Sequence, residues 1–150
     1  MAVVQTEDSL RCALAGDALR ASGSLRLRVT GSSMIPSIWP GEVIAIRHCG
    51  MEQVRVGDIG VFLRYGRIFA HRVVSAQPVL ITQGDAVPAP DPPVTTDEFL
   101  GKVTSIERRG KRISPSGRLS MAGRMIAAVA GRSARANRIL QRVHALRPLG

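Results

Sequence analysis

Between residues 25 and 107 the apolar residues arrive in short, largely β-branched runs, each cut off by turn residues before a helix could develop. The runs are VIAI (43–46), IGVFL (59–63), IFAHRVV (68–74), VLIT (79–82) and FLGKVTSI (99–106), and the breaks between them include PGE, VGD, YGR and QGD. Ahead of them Leu25, Leu27 and Val29 alternate with Arg26, Arg28 and Thr30, the period-two pattern of a half-exposed strand. No helix-length pattern separates these strands, which argues against parallel βαβ units and for a mainly β, antiparallel body. Aromatic residues make up only 3% of the chain, so its core has to be built from Val, Ile, Leu and Ala. AVPAPDPPV (86–94) reads as a proline-stiffened loop.

Helical spacing appears only at the two ends. Over residues 7–21, Leu10, Ala13, Leu14, Ala18 and Leu19 fall on one stripe, acidic groups occupy the first turn and Gly23 follows the end, as in a short amphipathic helix. From Ser116 onward Leu119, Ala122, Met125, Ile126 and Val129, then Ile139, Leu140, Val143 and Leu146, repeat at helical intervals, with Gly131 as the expected divider. The predicted organisation is an N-terminal helix over 1–24, a β domain over 25–113 and a helical tail over 114–150.

Charge separates these zones further. Residues 100–150 hold twelve Lys and Arg against Glu107 alone, while the first 99 residues are close to neutral. A tail of this kind can meet an anionic membrane surface, nucleic acid or an acidic partner. The N-terminus lacks the basic and apolar regions of a secretory leader. The apolar stretch Met125–Ala130 is far shorter than the ~20 residues of a membrane-spanning helix. The expectation is a cytoplasmic chain whose tail is open to peripheral contact with the inner membrane face. Cys12 and Cys49 have no metal-site spacing, and neither a metal nor a cofactor is expected.

Three segments carry side chains suited to chemistry. In TGSSMIPSIWPGE (30–42) a strand ends in Gly31-Ser32-Ser33-Met34, and Pro36, Pro40 and Gly41 stiffen the corner that follows. A serine on such a corner is held in place, and backbone N–H groups freed by the bend can face a developing oxyanion. In FAHRVV (69–74), His71 shares a strand face with Phe69 and Val73. A lone histidine there is most often a hydrogen-bonded core residue. It gains interest because a serine hydroxyl is a weak nucleophile without a base, and imidazole is the side chain suited to that task near neutral pH. ITQGDAVPAPD (81–91) offers Asp85 and Asp91, either of which could accept the second ring N–H of His71; Asp85 is equally at home as a turn residue.

Taken in order, GSSMIPSIWPGEVIAI, VRVGDIGVF, AHRVV, ITQGDAVPAPD and FLGKVTSI resemble the boxes of the signal peptidase I family, over roughly residues 29–106. The likeness is to the branch that uses Ser-His rather than Ser-Lys, as in endoplasmic-reticulum and archaeal signal peptidases. It implies the fold shared with LexA-like proteins, of coiled antiparallel β-sheets. It implies Ser33 as nucleophile, His71 as general base and Asp91 as the acid of the triad, with Asp85, Ser32, Gly31 and Met34 in support. The substrate implied is a peptide or protein cut after small residues, as in Ala-x-Ala. The chain departs from the family in two ways. No transmembrane anchor is expected within these residues, and Gly31 stands where some members supply a hydroxyl to the oxyanion, so that Ser32 or backbone N–H groups must serve. Its only lysines, Lys102 and Lys111, lie late in the chain, away from any base position. The other reading is a LexA-like regulatory or non-catalytic binding module whose basic tail contacts nucleic acid or a membrane. Residues 1–24 are too short for the DNA-binding domain such repressors carry, so nucleic acid is the disfavoured partner.

Overall fold

The computed structural model describes residues 7–132 and 134–146 of the chain. The side chains of residues 134–137, 143 and 146 fall outside this description, and with them the expected apolar positions Val143 and Leu146. Helix α1 (Glu7–Ser22) leads into β1 (Ser24–Arg28), β2 (Val43–His48), β3 (Ile59–Arg64), β4 (Arg67–Ser75), β5 (Ile81–Gln83), β6 (Phe99–Arg108) and β7 (Lys111–Ile113). Helices α2 (Met121–Arg132) and α3 (Ala134–Leu146) follow. The body is mainly β, as expected. All its strand pairings are antiparallel, in the order β1-β2-β6-β3-β4-β5, with β7 paired to the far half of β6.

Register slips between Ala45 and Ile46 on β2, between Val61 and Phe62 on β3, and between Val73 and Ser75 on β4 interrupt the ladders. Bulges of this kind sharpen twist and bend a sheet. Strand β3 is covered on both faces. Ile59 and Val61 of β3 enter a core with Leu19, Met34, Ile44, Ile46, Leu100 and Ile106, while Phe62 enters a second one with Val73, Leu80, Val94 and Phe99. This accounts for the unbroken apolar run IGVFL, which a strand with one wet face would have interrupted with polar residues.

Two expectations are corrected at the ends of the chain. The stripe predicted for α1 faces water at Leu10, Leu14 and Ala18; the buried residues of the helix are Gly16 and Leu19, and Gly16 faces Leu100. Close approach through a glycine outweighs a leucine stripe too short to cover the sheet. In the tail, α2 turns Gly123, Ala127 and Ala130 inward, with Ile126 half-buried, and leaves Met125 and Val129 exposed. Gly131 does not divide the helices. It lies in the last turn of α2, where a Cβ would stand 2.3 Å from the carbonyl oxygen of Ala86. The tail helices are therefore packed on the β body: Ala130 joins Ile35 and Trp39 in a third apolar cluster, with Ala86, Ile126 and Leu140 against it. Among the described residues no helix is long and apolar enough to cross a membrane.

Candidate active site

Ser33 opens the turns that follow β1, and the same segment buries Met34, Ile35 and Ile38 on its inner side. With those anchors in the core, the Ser33 hydroxyl is presented from a fixed corner. His71 projects from the middle of β4, opposite Gly60, and is only 5% exposed. The rings of Phe62 and Phe69 meet it edge-on at 5.9 and 5.6 Å. Asp91 sits in the proline loop after β5, its backbone N–H bonded to the carbonyl of Thr82 at 2.8 Å.

These three stretches converge. Ser33 Oγ lies 2.9 Å from His71 Nε2, and His71 Nδ1 lies 2.6 Å from Asp91 Oδ2. An ionised carboxylate only accepts hydrogen bonds, so Nδ1 carries the ring hydrogen and donates to Asp91. The lone pair of Nε2 is then left to accept from the serine hydroxyl. The buried Thr82 hydroxyl donates to the same Asp91 oxygen at 2.7 Å and fixes its rotamer.

Asp85 takes a different place. Its oxygens accept from Arg72 Nε at 2.7 Å and Nη2 at 2.9 Å, and from the hydroxyl of Ser37. The remaining donors of Arg72 reach the carbonyls of Gly57 and Ser116 and the Ser37 oxygen. Arg72 adjoins His71 on β4, so this buried ion pair ties the strand carrying the imidazole to the corner carrying the serine and to the chain entering α2. Asp85 thus supports the site through Arg72 rather than by orienting His71. Met34 contributes through the core and through its sulfur, which accepts the Asp85 N–H at 3.4 Å. Ser32 offers its carbonyl to the Ile35 N–H at 3.3 Å, and Gly31 is exposed with open space around its Cα.

Several residues that position the site carry no assignment from sequence. Gly84 lies so close to Ser33 that a Cβ there would stand 2.8 Å from the Ser33 carbonyl oxygen, and the N–H of Ala86, two residues on, donates to that oxygen. Its signal was the Gly-Asp pair, which reads just as well as an ordinary turn. Arg64 and Glu98 form a mostly buried bidentate pair, at 2.8 and 2.7 Å, and Arg64 also donates to the carbonyls of Pro92 and Pro93. This clamp grips the loop immediately after Asp91. The Arg64 hydrogen bonds hold the Glu98 carboxyl at about 2, against an ordinary 4.5. The partners are 34 positions apart, which leaves no local pattern to read.

Two cavities lie elsewhere. One of about 290 Å³ is bordered by Trp39, Glu42, Arg109 and His144, and one of about 570 Å³ lies over β1, β2 and Thr104 of β6. Neither is lined by Ser33, His71 or Asp91. No group of His, Cys, Asp and Glu able to hold a metal ion occurs among the described residues. No protein-family model and no curated protein sequence matches this chain. The case for chemistry at this site therefore rests on its geometry.

Proposed function

We propose that the chain is a serine endopeptidase of the signal-peptidase type, acting through Ser33, His71 and Asp91. The observation that carries this reading is the continuous hydrogen-bonded line from the Ser33 hydroxyl through both ring nitrogens of His71 to Asp91. Ser33 Oγ attacks the carbonyl carbon of the scissile peptide while His71 Nε2 takes its proton. Asp91 stabilises the imidazolium that results. The oxyanion would be met by Ser32 or by backbone N–H groups of the corner, donors suited to charge that appears only as the bond forms. Collapse of the tetrahedral adduct breaks the C–N bond, and Nε2–H protonates the departing amine. Water then attacks the Ser33 ester with His71 again as base, which releases the acid and restores the hydroxyl. An extended peptide would lie along the half-exposed segment 29–32, pairing by strand addition, with small residues before the cut.

Incubation of the purified chain with a peptide containing an Ala-x-Ala site tests this. Ser33→Ala and His71→Ala should each lower turnover by about 10⁴-fold or more, and Ser33→Ala should do so with the thermal midpoint in place. Turnover indifferent to both substitutions would defeat the reading.

A further inference from the structure

Helix α2 inverts the usual distribution of bulk. Its inward face is made of Gly123, Ala127 and Ala130, whereas Met121, Met125 and Val129 point to solvent, 81%, 72% and 49% exposed. Spaced four apart, these three line up along one side of the helix. Ile139 of α3 is a further exposed apolar residue, at 61%. Arg118, Arg124, Arg132, Arg138 and Arg142 are exposed on this part of the chain, and no acidic residue occurs between positions 108 and 146.

A ridge of protruding apolar side chains with a cationic rim matches one kind of partner best. Met and Val can enter the acyl boundary of a bilayer while guanidinium groups stay at the level of the headgroup phosphates, their stems lying along the apolar side chains. Two copies of this chain meeting ridge to ridge would bring their arginines face to face with no carboxylate between them. A peptide partner is best served by a groove, and these side chains stand proud of the surface.

We propose that the outer face of α2 is a docking surface for an anionic phospholipid bilayer, with Met121, Met125 and Val129 inserted and Arg118, Arg124 and Arg132 on the headgroups. The inward face makes this seat rigid: Ala130 packs with Ile35 and Trp39, and Gly131 abuts Ala86, whose N–H is bonded to Ser33. The height of Ser33 above the bilayer is thereby set, whatever chemistry Ser33 performs.

Flotation of the full chain with phosphatidylcholine–phosphatidylserine vesicles, and with phosphatidylcholine vesicles alone, tests the surface without any reference to peptidase activity. Binding to the mixed vesicles should exceed binding to the neutral ones by roughly tenfold or more. The paired change Met121→Gln and Met125→Gln, at two exposed positions, should cost about tenfold or more in binding to the mixed vesicles and leave the thermal midpoint in place. Equal binding to both lipids, or wild-type binding by the glutamine pair, overturns the proposal. So does a wild-type dimer in sedimentation that the glutamine pair dissolves, because the ridge would then be covered by a second copy.

Discussion

Among the described residues two histidine–carboxylate pairs occur, and their surroundings differ. His71 donates to Asp91 through Nδ1 and faces the Ser33 hydroxyl through Nε2, so each ring nitrogen has a directed partner. His144, on α3, lies flat against Trp39 with ring centres 4.1 Å apart and planes within 3°. Its Nε2 is 3.4 Å from Glu42, a carboxylate already engaged by Arg108 and by the Trp39 backbone N–H. In the first pair the carboxylate accepts, besides the ring, the neutral Thr82 hydroxyl, so its charge is left to the ring. In the second an arginine has taken that role, and the imidazole serves as a packing plate that seats α3. A histidine beside an acid does not by itself make a candidate base; what separates these two pairs is whether a cation already holds the acid.

The largest expected effect breaks the first pair. In Asp91→Asn the side-chain amide can donate to Nδ1 and place the ring hydrogen on Nε2, where it blocks proton transfer from Ser33. Peptide cleavage should fall by about 10²–10⁴-fold with the fold intact, whereas Glu42→Gln should change stability and leave the cleavage rate within about twofold. Matched losses of activity from the two substitutions would erase the contrast.

A smaller effect tests how Asp91 is held. Arg64→Ala strips the proline loop of its clamp and strands the Glu98 carboxylate. It should destabilise the fold by about 3 kcal/mol and lower kcat about tenfold as Asp91 loses its fixed position. The pH dependence gives an independent check. The folded state holds Glu98 at about 2, below its ordinary 4.5, so the stability it contributes is complete above 4.5 and drains away as pH falls from there towards 2. Urea midpoints followed down this acid limb should show the decline in the wild type and a flatter profile in Arg64→Ala.

The smallest effect concerns the second pair. Burial pushes His144 below its ordinary 6.5, with Arg108 adding to the shift and Glu42 opposing it. A depressed histidine means that the undocked helix binds the proton first, so the seat of α3 weakens as pH drops below 6.5. Trp39, the sole tryptophan, should report this as an emission change over that range, absent in His144→Phe.

The β character of residues 25–107 was legible because strand period and turn chemistry are local properties. The same holds for the candidate chemistry: the stiff serine corner, a histidine on an apolar strand face and an acid in a proline loop are each visible within a dozen residues. What the local pattern misjudged were the faces of α1 and α2. Their orientation depends on how closely a glycine lets two elements approach, as Gly16 does at Leu100 and Gly131 at Ala86, and hydrophobic spacing carries no such information.

The sequence by itself determined the element types, the asymmetry of charge and the residue types available for proton transfer, all of which follow from intrinsic conformational preference and side-chain chemistry. The residue types alone left Asp85 and Asp91 open and the resemblance implied Asp91; the tertiary structure put Asp91 against His71, enlisted Arg64 and Arg72 as clamps and turned the methionines of α2 outward. Those outcomes depend on directions and distances between chain segments tens of residues apart, and hydrogen bonds and close packing act only once the fold has brought such segments together.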